Sequence, residues 1–161
     1  MDPIKVFLVS YLGLMGLVIG SFLNVVVWRL PRRQSIVHPP SACPTCSHRL
    51  GVLDLVPVFS WIFLRGKCRY CGAPIASRYP VVEGLTGIVF AGIGAGYGVT
   101  GFVVVPLVLA AVLIPTGLIE LDAGNAAPRH SRARILGHTV AALAVIGLSL
   151  LLAAPRLWPI W

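Results

Sequence analysis

Four long hydrophobic stretches, about 18 to 23 residues each, restrict this chain more than any other feature of its sequence. An α-helix rises ~1.5 Å per residue, so ~20 apolar residues cross a hydrocarbon core that is ~30 Å thick. Only 11% of the residues are charged, against about a quarter in an ordinary soluble domain. The sequence therefore predicts an all-α integral membrane protein with about four transmembrane helices, at residues 6–28, 81–99, 102–119 and 135–154.

The positive charge is concentrated in two of the segments between these stretches. Residues 29–80 hold eight and residues 120–134 hold three of the 13 lysine and arginine residues, and only Lys5 and Arg156 lie elsewhere. Because such loops stay on the cytoplasmic side of a membrane, both segments are predicted inside and both chain termini outside. The net charge of +8 is then a topology signal, and no nucleic-acid partner is predicted.

A cleaved secretory signal is the alternative interpretation of the first stretch, since it begins near the N-terminus. It fits poorly. The apolar run is too long, and Arg-Leu-Pro-Arg-Arg follows it where a small-residue cleavage site should stand.

All four cysteines fall in the loop 29–80 as two C-x-x-C pairs, Cys43 with Cys46 and Cys68 with Cys71. A gap of two residues lets both sulfurs of a pair face one ion, and four thiolates complete the tetrahedral shell that Zn²⁺ prefers. Such a shell has no open position, so the predicted zinc is structural. The residues leave three alternatives open: two disulfides, which require an oxidising compartment; an iron–sulfur or redox-thiol site; and His48 in place of one cysteine ligand.

Two further features of this loop carry expectations, although no internal repeat is evident in the sequence. Gly72 directly follows the second pair, where a residue free to take a positive φ helps the chain turn, and Ser47 is a less permissive residue at the same place after the first pair. The apolar segment 55–64 is too short to cross a bilayer. It is expected to lie in the membrane interface or to pack on the helices.

Glycine spacing within the spans indicates where helices approach each other closely. Gly16 and Gly20 in the first span, and Gly92 and Gly96 in the second, are separated by three residues. Small residues at this spacing let the backbones of two membrane helices come together.

The chain has only five carboxylates, so each one near a span is a candidate for chemistry. Glu83 opens the second span, while Glu120 and Asp122 close the third. Two carboxylates that share a proton can activate water, as in aspartic proteases. The structural alternative for Glu83 is that it favours a helix N-terminus or pairs with nearby arginines. Glu120 and Asp122 are two residues apart and cannot face each other on a helix, so either one needs a partner from elsewhere.

Several blocks of this sequence resemble the N-terminal half of bacterial type IV prepilin peptidases, membrane aspartic peptidases that remove prepilin leaders and methylate the new N-terminus. The resemblance covers about residues 6–90. It is carried by GSFLNVVVWRLP at 20–31, Pro39-Pro40 before the first cysteine pair, DLVP at 54–57, RGKCRYCGAPI at 65–75 and RYPVVE at 78–83.

This resemblance implies a bacterial inner-membrane protein with a cytoplasmic zinc loop between its first two helices, in agreement with the charge pattern and the cysteine spacing. It divides the chain into a prepilin-peptidase-like region at 1–90, with the zinc loop at 29–80, and a degenerate or truncated peptidase region with the remaining helices at 91–161. The implied substrates are prepilins or pseudopilins of type IV pili and type II secretion. S-adenosylmethionine is the implied methyl donor, although no Gly-rich loop for it can be identified.

The peptidase motifs of the family are matched only in part. The family uses one aspartate in an Ile-Asp segment that precedes Leu-Pro or Ile-Pro, and another in Gly-x-Gly-Asp. Here Glu120 follows Ile119, Asp122 stands two residues later, and no Gly-x-Gly-Asp occurs in the 161 residues. Asp122, with Glu120 as its rival, is the predicted catalytic carboxylate. Because one aspartate cannot serve as both base and proton donor, peptidase activity is expected to need a second chain that supplies the missing aspartate.

Three functions are therefore compatible with the sequence. The first is an enzyme component of prepilin maturation, as a methyltransferase or as part of a peptidase. The second is a zinc-loop module that binds prepilin or a secretion partner without catalysis. The third is a relic of a prepilin peptidase.

Overall fold

The computed structural model describes residues 2–126 of the chain. Within these residues the chain is helical and has no β-strands, as predicted. The only β-type hydrogen bonding there consists of two isolated β-bridges. The α-helices are α1 (Pro3–Arg29), α2 (Phe59–Phe63), α3 (Arg78–Tyr97) and α4 (Val104–Ala126), and short 3₁₀ turns lie at Leu30–Arg32, Val52–Leu55 and Gly101–Val103.

Three of these helices, α1, α3 and α4, are long and apolar enough to cross a membrane. They correspond to the first three predicted spans, and the fourth predicted span, 135–154, lies outside the described residues. Helix α1 begins three residues early because the Asp2 carboxylate accepts a hydrogen bond of 3.0 Å from the Ile4 N–H and caps the helix. Helix α4 continues to Ala126, so it includes Glu120 and Asp122.

Helices α1 and α3 pack closely through glycines. A Cβ atom added at Gly16 would lie 2.8 Å from the Cα of Gly87, and one added at Gly20 would lie 2.8 Å from the Cα of Glu83. The predicted role of Gly16 and Gly20 is therefore confirmed. The prediction for α3 was wrong at Gly92, where an added Cβ would meet nothing within 4 Å among the described residues. Gly87 on α3 makes the close approach instead.

Helix α4 completes the bundle on the side away from the loop. Its Ala110 joins Leu12 of α1 and a row of α3 residues in one buried apolar cluster, whose α3 members are Phe90, Ile93 and Tyr97. The end of the α1–α3 pair that carries the loop is joined by polar contacts, among them a 3.2 Å hydrogen bond from the Asn24 amide to the Tyr79 carbonyl. The 48 residues between Arg29 and Arg78 thus leave and re-enter the bundle at the same end.

Candidate metal centre

The first cysteine pair lies in a tight hairpin of residues 41–50, called here the first hairpin. An antiparallel bridge joins Ala42 to Arg49, and the Cys43 N–H donates to the His48 carbonyl at 3.0 Å. The Ser47 N–H returns to the Cys43 carbonyl at 2.9 Å. This turn brings Cys43 and Cys46 to the same side of the hairpin.

The second cysteine pair lies in a hairpin of residues 66–75, the second hairpin, with the same backbone pattern. A bridge joins Lys67 to Pro74, the Cys68 N–H donates to the Ala73 carbonyl at 2.8 Å, and the Gly72 N–H donates to the Cys68 carbonyl at 2.9 Å. The two hairpins form a structural repeat. The sequence did not predict it, because the two segments have little sequence in common beyond the cysteine spacing.

Both turns depend on a residue with positive φ four positions after the first cysteine. It is Ser47 at φ 58° in the first hairpin and Gly72 at φ 71° in the second. The expectation for Gly72 is confirmed. Ser47 adopts the same left-handed conformation although its Cβ disfavours it, so the first turn carries a conformational cost that the second does not.

The four sulfur atoms come together at one point. All of them lie within 4.8 Å of one another, and the Sγ atoms of Cys43 and Cys71 are 3.8 Å apart. A tetrahedral shell with metal–sulfur bonds of ~2.3 Å has edges of ~3.8 Å, so the cluster fits a four-thiolate metal ion after small adjustments. None of the four cysteines is joined in a disulfide in this structure. The four cysteines are thus positioned to bind a metal ion.

The protonation of the cluster is uneven in the absence of a metal. Hydrogen bonds from the backbone N–H groups of Cys46 and Thr45 lower the pKa of Cys43 to about 6. At Cys71 the Ala73 N–H acts in the same direction, but desolvation and the neighbouring thiols outweigh it and raise the pKa to about 12. A thiolate in this cluster therefore forms first at Cys43, which gives an entering cation an initial ligand.

Asp54 supports the second hairpin, a role that the sequence reading did not assign. Its carboxylate accepts hydrogen bonds from the Arg69 Nε at 2.6 Å, the Tyr70 hydroxyl at 3.0 Å and the Gly51 N–H at 3.0 Å. Arg69 holds the pKa of Asp54 below its ordinary value. Both side-chain partners, Arg69 and Tyr70, stand between Cys68 and Cys71 in the sequence, and Asp54 is the only carboxylate in the loop 29–80.

His48 does not belong to the group of potential metal ligands. Its ring packs against the Tyr70 ring in a tilted arrangement, with the ring centroids 3.6 Å apart and 30° between the ring planes. Tyr70 is itself hydrogen-bonded to Asp54. His48 therefore links the first hairpin to a side chain that is already fixed in the second hairpin.

Trp61 of α2 fixes the base of the second hairpin. Its indole Nε1 donates to the Ile75 carbonyl at 3.0 Å. Its ring covers Gly66, where an added Cβ would lie 2.9 Å from Trp61 Cζ2 and where φ is 68°. A glycine is needed there for both reasons.

Glu83 joins the loop to the helix pair. Its carboxylate is buried and accepts a 2.7 Å hydrogen bond from the Val58 N–H, and the Ser21 hydroxyl also bonds to it. Val58 lies at φ 62° in a γ-turn closed by the Phe59 N–H and the Pro57 carbonyl, a conformation that costs a β-branched residue about 1–3 kcal/mol. Glu83 thus holds a strained turn against α3, where the sequence suggested an arginine partner or helix-end stabilisation.

Asp122 lies on α4 and is bound to the first residue of α3. The Arg78 Nη1 lies 2.8 Å from Oδ1 and 2.7 Å from Oδ2 of Asp122, and both side chains are substantially exposed. Glu120 lies two residues earlier on the same helix and is half-buried. The Arg78–Asp122 ion pair joins α4 to α3 at the end of the bundle that carries the loop.

Curated proteins similar to this chain are enzymes of prepilin processing. A "Prepilin leader peptidase/N-methyltransferase" of Myxococcus xanthus is 48% identical over 112 residues, which are 70% of this chain and 33% of that protein. A "Type 4 prepilin-like proteins leader peptide-processing enzyme" of Escherichia coli is 38% identical over 66% of this chain and 46% of that protein. A Burkholderia pseudomallei prepilin leader peptidase/N-methyltransferase is 38% identical over 68% of this chain and 44% of that protein.

The chain spans between a third and about half of the length of these relatives. No solved structure matches it. The model of the Bacterial Peptidase A24 N-terminal domain matches residues 14–97, a range that includes α1 from residue 14 onwards, both cysteine hairpins and all of α3. With its cysteine loop inserted between two closely packed membrane helices, this chain belongs to the prepilin peptidase family and contains its bacterial A24 N-terminal domain.

Proposed function

We propose that this chain acts in the processing of type IV prepilins or pseudopilins at the bacterial inner membrane, as the zinc-loop part of a leader peptidase and N-methyltransferase. The observation that carries the proposal is the four-cysteine cluster on an insert between α1 and α3, within the residues that match the family domain. Residues 1–90 supply this loop and its helix pair, and residues 91–161 supply the remaining helices.

The metal proposed for the cluster is zinc in a structural role. Cys43, Cys46, Cys68 and Cys71 would hold it, and a four-thiolate shell has no open position for a substrate or water. When bound, zinc supplies folding free energy to a loop with little apolar core. The chain's own residues then do the positioning: Asp54 and Trp61 brace the second hairpin, and Glu83 fixes the loop to α3.

The charge pattern supports a cytoplasmic position for this loop. Eight of the 13 basic residues lie in 29–80, and basic loops resist transfer across the membrane. A methyl donor such as S-adenosylmethionine is available in the cytoplasm. A loop on that side of the membrane therefore suits the N-methyltransferase activity that the names of the relatives include.

Asp122 is the proposed catalytic carboxylate, with Glu120 as the alternative. An aspartic dyad needs two carboxylates that share a proton, so the second must come from a further segment or a second chain. The Arg78–Asp122 ion pair favours a second candidate function, a non-catalytic module that binds prepilin or a secretion partner, because Arg78 contacts both oxygens of this carboxylate.

The experiment is an assay of leader cleavage and methyl transfer in one reaction. The full chain, alone or co-expressed with the C-terminal half of the Myxococcus xanthus relative, is incubated with a prepilin and labelled S-adenosylmethionine. We expect cleavage only with the second half present, and its loss in Asp122→Asn but not in Arg78→Gln. If neither product forms while the complete relative is active in parallel, the enzyme proposal fails and the binding module replaces it.

A further inference from the structure

Helix α2 presents a fully apolar outward face. Phe59, Ile62 and Phe63 occupy positions i, i+3 and i+4, which share one side of a helix. Their exposed fractions are 50%, 56% and 81%. Large apolar side chains grouped in this way mark a contact surface and not an ordinary solvated face.

The position of α2 along the bundle indicates what this surface contacts. Val58, the residue before α2, donates its N–H to Glu83, which lies five residues inside α3. At ~1.5 Å per residue, Glu83 is ~7–8 Å inside the helix end. The Asn24–Tyr79 hydrogen bond places the start of α3 beside a residue about five positions before the end of α1. Val58 therefore meets α3 at a level that lies inside both Arg78 and Arg29, the cationic residues at the loop ends of the two helices.

Helix α2 therefore begins at the depth of the interface between headgroups and acyl chains. Interfacial helices bury their apolar faces ~5–10 Å into this region. The exposed Arg65 and Lys67 follow α2 directly, where cationic side chains can reach phospholipid headgroups.

The opposite side of α2 is fixed to the metal centre. The hydrogen bond from Trp61 to the Ile75 carbonyl and the packing of its ring on Gly66 hold this side against the second hairpin. Phe59, Ile62 and Phe63 consequently cannot turn inward without breaking these contacts.

We propose that α2 is an interfacial membrane anchor, whose Phe59, Ile62 and Phe63 insert into the lipid bilayer that surrounds α1 and α3. The anchor holds the metal centre at the membrane surface, because Trp61 joins α2 to the second hairpin. The depth of Val58 favours lipid over a soluble protein as the occupant. The proposal does not depend on the enzymatic activity of the chain.

The test replaces Phe63 with the photoreactive amino acid p-benzoylphenylalanine in the full chain, placed in nanodiscs of phosphatidylethanolamine and phosphatidylglycerol. The matched control carries the same group at Thr45, which is exposed at the tip of the first hairpin. After illumination, intact mass is measured. Both variants must retain as much metal as the unmodified chain, which verifies the fold of the loop.

The expected result is a mass increase of one phospholipid at position 63 and little or none at position 45. A crosslink from position 63 to residues 127–161 of this chain or to another protein would show that protein covers the face. That outcome overturns the proposal. So does the absence of a lipid adduct at position 63 while benzoylphenylalanine at the exposed Phe22 of α1 captures lipid in the same nanodiscs.

Discussion

The first and second hairpins have the same backbone and very different side-chain support. Each closes its base with one hydrogen bond, from Leu50 to Ser41 at 2.9 Å in the first and from Ile75 to Gly66 at 2.7 Å in the second. The second hairpin is also bound to Asp54 and to Trp61. The first hairpin contacts the second through the His48 ring, which packs against Tyr70.

This difference indicates two roles in one metal site. The second hairpin is positioned by side chains whose contacts do not need the metal, so it acts as a preformed half-site. We expect the first hairpin to be held mainly by the ion that both halves would share. Metal binding then completes the fold of the loop, as expected where ligands come from separate turns.

Loss of the metal gives the largest expected effect. Cys68→Ser and Cys43→Ser should each abolish stoichiometric zinc binding, because structural zinc contributes ~10–16 kcal/mol through all four ligands together. In both variants the Leu50 amide should then exchange hydrogen faster than the Ile75 amide, since only the second base is held by side chains. Zinc content and hydrogen exchange measure these effects. Full zinc occupancy in Cys68→Ser would contradict the four-thiolate site.

The second effect concerns the Cys43 thiol in the metal-free protein. The backbone N–H groups of Cys46 and Thr45 lower its pKa to about 6, and both belong to the local turn, which does not require the metal. Because the folded pKa is depressed, this group stabilises the turn fully above its ordinary pKa. The contribution falls as the pH drops towards about 6. Ultraviolet absorbance of the thiolate, with Cys43→Ala as the control, should show a transition there.

Absence of that low transition would mean that the first hairpin opens when the metal leaves. The titration thus distinguishes two events: a first hairpin that leaves the second hairpin but keeps its turn shows the transition, and one that unfolds does not. Cys71, whose pKa is raised to about 12, should stay protonated throughout the same titration.

Substitution of Asp54 should have an intermediate effect on stability, confined to the second hairpin. Asp54→Asn removes the charge that binds Arg69 and weakens the acceptor of the Tyr70 hydroxyl. We expect faster zinc release to a chelator and faster exchange at the Ile75 amide. Asp2→Asn, which alters a carboxylate at the start of α1, is the matched control and should leave zinc release unchanged.

If Asp54→Asn released zinc at the rate of the unmodified chain, the proposed difference in side-chain support between the first and second hairpins would be contradicted. The effect should also be greatest near neutral pH. Since the pKa of Asp54 is lowered in the folded loop, its contribution is present above the ordinary carboxyl range and is lost as the pH falls below it.

The spans and the metal ligands could be predicted from the sequence because each depends on local chemistry. Twenty apolar residues suit only a membrane-spanning helix, and two C-x-x-C pairs suit a four-thiolate ion. The first three spans and the grouping of the four cysteines were predicted in this way, and the structure confirms both.

The supporting contacts could not be predicted because they join residues far apart in the sequence. Glu83 bonds a backbone N–H 25 residues away, and Asp54 bonds a side chain 15 residues away. Glycine spacing likewise does not specify which helix face is used, so it indicated Gly92 where Gly87 makes the contact. The sequence identified Ser47 as an unfavourable turn residue but not that the hairpin would require a positive φ there.

Exchange of the two turn residues gives the smallest effect and the closest comparison of the hairpins. Ser47→Gly should stabilise the first hairpin, and Gly72→Ser should destabilise the second, each by about 1 kcal/mol, because only glycine adopts the left-handed region without a penalty from Cβ. An added Cβ at Gly72 meets no atom within 4 Å, so the change there is conformational and not steric. Zinc affinity, measured by competition with a chelator, should rise in Ser47→Gly and fall in Gly72→Ser. If the two turns are equivalent, the double variant should bind zinc with the affinity of the unmodified chain. A double variant with weaker affinity would show that glycine matters more in the second turn than in the first.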